Sequence, residues 1–251
     1  MQVDLNADAG ESYGVYTYGH DEALFPLVSS VNLACGFHAG SPLRMKETVA
    51  RAKAHKVAVG AHPGFPDLVG FGRREMALSP EEVYADLLYQ IGALSAFLKA
   101  EGLFLHHVKP HGALYLKACR DRETARAIAQ AVKDFDPGLP LVVLPNTPYE
   151  EEARAMGLRV VLEAFPERAY LKNGQLAPRS LAGSWITDPK EAARRALRMV
   201  LEGRVEALDG GEVGVRAETL CIHGDNPSAP QVAKAIREAL EGEGVEVRAF
   251  D

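Results

Sequence analysis

Ionisable side chains follow short apolar runs of this 251-residue chain, at positions marked by proline or glycine. The stretch 108–115 shows the pattern best. Proline lacks the amide proton that a sheet ladder requires, so a strand ending near Pro110 leaves Lys109 and His111 at its exit. The ionisable and polar residues at comparable exits are Asn6, Asp8, Glu11, His38, His62, Lys109, His111, Glu163, His223 and Asp225.

The carboxyl ends of parallel strands form the ligand-binding face of α/β folds, so we expect these residues around one cavity. Their mixture of acids, bases and a cation suits acid-base chemistry on a polar substrate. Asp8 or Glu11 could activate water. Lys109 could orient a carboxylate, stabilise an oxyanion or, with its pKa lowered by burial, act as a base.

Two long segments, 62–77 and 164–184, lack a clear helix or strand pattern and are interpreted as functional loops. Each carries arginine. Arg73 and Arg168 are predicted to bind a carboxylate or phosphate through their forked guanidinium groups.

The metal signal is weak. Asp8, His38 and His62 could bind zinc through oxygen and nitrogen, but His38 and His62 do not have His-x-x-x-His spacing and no His-Glu-x-x-His motif occurs. Our main expectation is therefore no metal, with that set as the alternative. No glycine precedes a lysine, so a Walker A loop is excluded and any use of ATP needs another binding element or another protein.

Strand and helix patterns alternate along the chain, which favours a parallel sheet. Serine, threonine or aspartate caps predict helix starts at 41, 79, 121, 147 and 188. A small hairpin is expected within 205–217. Because seven strands carry their ionisable residues at the carboxyl ends, we predict one seven-stranded (β/α) barrel domain over 1–251. The predicted strands are 3–8, 31–35, 57–61, 103–108, 141–144, 159–162 and 219–222.

Composition excludes several classes of protein. The net charge of -6, with no basic cluster, argues against nucleic-acid binding. No apolar run is long enough to span a bilayer, and the first residues lack a leader pattern, so a cytoplasmic protein is expected. Three scattered cysteines are too few for a disulfide framework.

Six motifs, in order along nearly the whole chain, resemble the LamB/YcsF family, also called the A subunit of the bacterial ATP-dependent 5-oxoprolinase. The motifs lie at 4–11, 32–40, 60–63, 70–74, 108–115 and 221–225.

This resemblance implies a barrel of the glycoside hydrolase/deacetylase type that helps to open 5-oxo-L-proline to L-glutamate with ATP hydrolysis. It also implies two partner subunits, B and C. A stand-alone metal-dependent amidase or deacetylase and a non-catalytic substrate-binding subunit remain alternatives. Our hypothesis assigns catalysis to Asp8, Glu11, Lys109, His111 and His223, and substrate binding to Asn6, His38, His62, Arg73, Glu163, Arg168 and Asp225.

Overall fold

The computed structural model describes residues 1–251 as an α/β fold in which helices and strands alternate over most of the chain. The α/β class and the parallel pairing of the principal strands are confirmed. The strands are β1 (Gln2–Ala9), β2 (Ser30–Ala34), β3 (Ala58–His62), β4 (Leu141–Val143), β5 (Val160–Ala164), β6 (Arg204–Glu206), β7 (Glu212–Gly214), β8 (Thr219–Ile222) and β9 (Glu246–Val247).

The helices predicted to start after cap residues 41, 79, 121, 147 and 188 begin there. Ser79 and Glu82 form a reciprocal capping box, and the side chain of Asp121 accepts two amide protons of the following turn. None of the helices has the length and apolar character needed to cross a membrane. The helices are α1 (Asp21–Leu24), α2 (Pro42–His55), α3 (Pro80–Ala100), α4 (Gly112–Ala118), α5 (Arg122–Phe135), α6 (Pro148–Ala155), α7 (Pro189–Leu197) and α8 (Ala229–Gly242), and a π-helical turn, Arg198–Glu202, extends α7.

Three elements differ from the sequence prediction. The expected strand over 103–108 is reduced to a bridge at Val108, and Phe104 is 91% exposed rather than buried in a sheet. Helix α4 follows His111 directly, where no element was predicted. The short strand β9 was not predicted. In each case the apolar pattern was too short to specify the element.

The chain groups into two compact units. The first comprises Met1–Ala7, His20–Ser30 and Leu162–Asp251, and the second comprises Asp8–Gly19 and Val31–Val161. The single domain over 1–251 stays a prediction.

In the first unit, β8 pairs in parallel with β1 and β5, and β9 pairs with β1. Helix α7 packs against α8. Strands β6 and β7 form the antiparallel hairpin that the sequence predicted. An ion-pair network joins this hairpin to α7 and its π-helical extension through Arg194, Arg198, Arg204, Glu191, Glu202, Glu206 and Glu212.

In the second unit, β2 neighbours β3, Ala61 of β3 bridges Val108, and Val108 bridges Leu141 of β4, both bridges being parallel. Helix α3 packs against α5, and α5 against α6. Helical spacing predicts a core-facing side of α3 with Leu87, Leu88, Ile91, Leu94 and Leu98, and all of these are buried except Leu88, which is half-buried.

Candidate active site

The second unit gathers six of the predicted site residues into one buried group. Asp8 lies near the carboxyl end of β1, His62 is the last residue of β3, and His111 is the N-cap residue of α4. The ends of two strands and the start of one helix thus position these ionisable side chains, as expected for an α/β fold. The six buried residues are Asp8, Glu11, His38, His62, Lys109 and His111.

Asp8 and Lys109 form the ion pair of this group. The Lys109 Nζ atom lies 3.2 Å from Oδ1 of Asp8, and the side-chain amide of Asn32 donates to the same oxygen at 2.9 Å. His62 Nε2 lies 3.4 Å from that oxygen. Since charged groups are almost never buried unless paired, the pair explains how an aspartate and a lysine are both accommodated here.

Asn32 and His107 hold Asp8 in place and were missed by the sequence interpretation. His107 Nε2 donates to Oδ1 of Asn32 at 2.8 Å, which leaves the Asn32 amide group to face Asp8. Burial, with neighbouring His106 and Lys109, lowers the pKa of His107 well below its ordinary value. The sequence did contain a clue to Asn32, because it is a polar residue inside the apolar run of β2.

Two backbone carbonyls fix the rings of His62 and His111. His62 Nδ1 donates to the carbonyl of Lys109 at 2.6 Å, and His111 Nε2 donates to the carbonyl of Phe71 at 2.8 Å. The remaining ring nitrogens, Nε2 of His62 and Nδ1 of His111, face each other at 3.0 Å. Both inward-facing nitrogens therefore carry lone pairs when the rings are neutral.

His38 completes the histidine group. Its ring stacks on that of His111 with 3.8 Å between centroids and an interplanar angle of 2°. Its Nε2 atom lies 3.3 Å from Oε1 of Glu11, and its Nδ1 atom is buried without a hydrogen-bond partner. Burial and neighbouring histidines lower the pKa of both His38 and His111 well below the ordinary value, which favours neutral rings at pH 7.

The loop over 62–77 has an unusual backbone conformation where it contacts the histidine group. Phe71 has a φ of 55°, in the left-handed region that bulky residues avoid, and Gly72 follows with a φ of 63°. This conformation aims the Phe71 carbonyl at His111. A Cβ atom on Gly72 would lie 2.7 Å from Cβ of His38 and 2.8 Å from Cδ2 of His111, so only glycine fits.

Buried polar contacts anchor the same loop. The Gln90 side chain on α3 accepts from the amide of Gly64 at 2.9 Å and donates to its carbonyl at 3.0 Å. Asp67 accepts from the Gly70 amide at 2.9 Å and pairs with the guanidinium of Arg74. Asp67 and Gln90 were missed because neither stands at a strand exit.

Arg73, predicted to bind substrate, is exposed, and its guanidinium carbon lies 4.9 Å from the centroid of the Phe71 ring. Its positive charge is one of the influences that lower the pKa of His38, after burial and His62. The structure thus places Arg73 beside the histidine group, and its role in substrate binding stays a prediction.

The first unit holds the remaining predicted residues. Asn6 Nδ2 donates to Oε1 of Glu163 at 3.3 Å and to the hydroxyl of Thr219 at 2.6 Å. The Thr219 hydroxyl donates in turn to Asp4, which also accepts from Ser30 at 2.8 Å. Asn6 and Glu163 are therefore brought together, as members of a buried network that Asp4 and Thr219 complete.

His223 is positioned by Glu167, which lay in the second predicted loop but was not predicted as a site residue. The Glu167 carboxylate, fully buried, accepts from the backbone amide of His223 at 2.8 Å and from the side-chain amide of Asn226. His223 Nδ1 lies 3.6 Å from Oε2 of Glu167. Asp225, between the two anchored residues, is half-buried.

Arg168 is buried, and its guanidinium donates to the carbonyl of Ala177 at 2.6 Å. The guanidinium carbons of Arg168 and Arg179 lie 5.2 and 4.4 Å from the ring of Trp185. His223 contacts the same ring edge-on, with 5.4 Å between centroids. The second loop is thus ordered around Trp185.

Four ligand atoms, one each from Glu11, His38, His62 and His111, lie within 4.8 Å of one another. Imidazole nitrogen and carboxylate oxygen suit a transition metal. The zinc set considered from the sequence differs, because it contained Asp8 in place of Glu11 and lacked His111.

The family model of the LamB/YcsF family matches residues 3–251. The chain belongs to the LamB/YcsF family. This LamB/YcsF chain is 85% identical over 250 residues to a Thermus thermophilus protein named as the A subunit of 5-oxoprolinase, and the match covers 100% of both chains.

Two solved structures place this LamB/YcsF chain among known folds. The lactam utilization protein of Thermus thermophilus is 84% identical, with a TM-score of 0.96 and 100% coverage of both chains. The catalytic domain of a peptidoglycan N-acetylglucosamine deacetylase from Eubacterium rectale is 8% identical, with a TM-score of 0.53 over 99% of this chain and 88% of that one. At that identity the likeness concerns the fold alone.

Proposed function

We propose that this chain is the A subunit of an ATP-dependent 5-oxoprolinase, which opens the lactam of 5-oxo-L-proline to L-glutamate. The observation that carries the proposal is the 85% identity, over the full length of both chains, with a relative that bears this name. The buried Asp8, Lys109 and histidine group supplies the acids, bases and cation that opening an amide requires.

The chemistry demands activation of the substrate, because an unstrained lactam carbonyl is a poor electrophile. Coupling to ATP hydrolysis supplies that activation in the proposed complex. Lys109, held by Asp8, orients the substrate carboxylate or stabilises negative charge on the carbonyl oxygen.

His111 presents one ring nitrogen to the site. Its Nε2 proton is held by the Phe71 carbonyl, so the neutral ring offers the Nδ1 lone pair, 3.6 Å from Oε1 of Glu11. In this proposal Asp8 or Glu11 accepts a proton from the attacking water, and a histidine, His223, protonates the ring nitrogen as the carbon-nitrogen bond breaks.

The remaining assignments belong to the same proposal. The B and C subunits of 5-oxoprolinase are the partners, ATP is a co-substrate of the complex, and the complex is cytoplasmic. A closed seven-stranded barrel is the proposed architecture, supported by the fold likeness to a deacetylase. In it the substrate contacts are Asn6, His38, His62, Arg73, Glu163, Arg168 and Asp225.

The test measures release of ADP and glutamate from 5-oxoproline by this chain alone, by the two partners alone and by all three. We expect turnover only in the full mixture. We expect K109M and H111N to abolish it, whereas K234M, which alters an exposed lysine paired with Glu238, leaves it intact. Full turnover with both site variants would refute the site assignment.

A stand-alone metal-dependent amidase is the second candidate, favoured by the Glu11 and histidine group. It predicts amide hydrolysis by the isolated chain without ATP, abolished by a chelator. A non-catalytic substrate-binding role is the third, and it predicts 5-oxoproline binding with turnover insensitive to Asp8, Glu11, Lys109 and His223.

A further inference from the structure

The inward-facing nitrogens of His62 and His111 pose a specific electrostatic problem. A backbone carbonyl can only accept a hydrogen bond, so His62 carries its proton on Nδ1 and His111 carries its proton on Nε2. Two lone pairs then face each other across 3.0 Å. Lone pairs at that distance repel unless a positive charge lies beside them.

The nearest side chains add negative charge and another nitrogen. Oε1 of Glu11 lies 3.6 Å from Nδ1 of His111 and 3.3 Å from Nε2 of His38. All four residues are buried, and their ligand atoms lie within 4.8 Å of one another. A buried carboxylate oxygen and three ring nitrogens therefore converge on one point.

Three of the contacts among these atoms are close to the spacing around one small ion. Zinc binds nitrogen and oxygen at about 2.0–2.2 Å in tetrahedral sites, which places neighbouring ligand atoms about 3.3 Å apart. Three of the six separations among the four ligand atoms are 3.0, 3.3 and 3.6 Å, and all six are within 4.8 Å. The carbonyls bound to His62 and His111 act as the outer partners that orient metal-ligating histidines.

We propose that Glu11, His38, His62 and His111 bind one divalent transition-metal ion of the zinc class, through Oε1, Nε2, Nε2 and Nδ1 respectively. Asp8 is not a ligand. Its Oδ1 atom is already bound by the Lys109 ammonium and the Asn32 amide, and a second cation at that oxygen would be repelled by Lys109.

One bridging proton between His62 and His111 is the competing explanation. It gives no role to the approach of His38 Nε2 and Glu11 Oε1, so the four-atom convergence favours the metal.

The experiment titrates chelator-treated full-length chain with Co²⁺ and Zn²⁺, following the visible absorption of cobalt and the heat of binding. We expect one ion per chain, the intense cobalt bands of a four-coordinate site, and at least 100-fold weaker binding by E11Q and H111N. D8N, which alters the neighbouring carboxylate, and H55N, at the end of α2, should each bind within about threefold of wild type.

Circular dichroism of each metal-free variant establishes that it is folded. If E11Q or H111N fails to fold, the imidazole ¹⁵N shifts of the wild-type chain decide, because Zn²⁺ must move the signals of His38, His62 and His111 and spare His55. Absence of binding, unchanged affinity in folded E11Q and H111N, or loss of affinity in D8N alone would overturn the proposal. None of these readouts depends on lactam hydrolysis, so the metal site and the proposed function fail or hold separately.

Discussion

The carboxylate of Asp8 and the ammonium group of Lys109 lie 3.2 Å apart, both buried, although 101 residues separate them in the chain. Burying two charges is costly, and removing one of them leaves the other without compensation. A change that removes either charge should therefore alter the stability of the folded chain as well as the candidate site.

We expect K109M to lower the free energy of unfolding by about 3–5 kcal/mol, because it leaves the Asp8 carboxylate buried without a cation. The double variant D8N/K109M removes both charges and should be more stable than K109M alone. Urea unfolding followed by circular dichroism measures K109M, D8N and the double variant, with K234M as the exposed control. If the two losses simply add, the residues are not coupled.

Asp67 makes the loop over 62–77 sensitive to acid. Its hydrogen bonds with Arg74 lower the pKa of the carboxyl to about 2, below its ordinary value. A depressed folded-state pKa stabilises the folded chain above the unfolded-state pKa, and this contribution is lost as pH falls from about 4 towards 2.

The variant D67N should therefore be less stable than wild type at pH 6, with the difference shrinking between about pH 4 and pH 2. Thermal unfolding across this range measures the effect. R74M removes the cause of the shift and should weaken the same dependence. A constant difference between D67N and wild type at all pH values would contradict the assignment.

Gly72 is predicted to be irreplaceable for steric reasons as well as for its φ. G102A is the matched control, since Gly102 has a φ of 72° with no atom within 4 Å of an added Cβ. Backbone strain alone should cost about 1–2 kcal/mol in G102A. G72A should cost about 1–3 kcal/mol more, because its methyl group overlaps His38 and His111. Equal losses in the two variants would show that the ring contacts are unimportant.

Glu167 is expected to position His223 rather than to react. E167Q places an amide group against either the His223 backbone amide or the Asn226 side chain, and one unsatisfied buried group costs about 1–3 kcal/mol. In the reconstituted complex kcat should fall while the KM for 5-oxoproline changes little. E246Q, at an exposed side chain, is the control. A rise in KM with normal kcat would instead indicate a substrate-binding role.

The sequence was most informative where local chemistry decides structure. A cap residue and the proline after it specify the start of α2, α3, α6 and α7 without help from the rest of the chain. Exits of apolar runs likewise identified Asp8, His62, Lys109 and His111. The run over 103–108 was wrongly predicted as a full strand because its regular pairing is confined to Val108, whose two bridging partners, Ala61 and Leu141, are distant in sequence.

The supporting residues of the site could not be found in this way. Asn32, His107 and Glu167 act through hydrogen bonds to residues 24–75 positions away, so no local pattern specifies them. The left-handed backbone conformation of Phe71 could not be predicted from the sequence either, since bulky residues rarely adopt it.

The ion-pair network around β6 and β7 gives this part of the fold a particular response to heat. Exposed pairs such as Arg204 with Glu212 contribute little at room temperature. The hydration of charged groups becomes less favourable as temperature rises, so bringing them together costs less. We therefore expect the ion pairs to contribute more to the stability of the hairpin and α7, relative to apolar burial in the core, at high temperature than at low temperature.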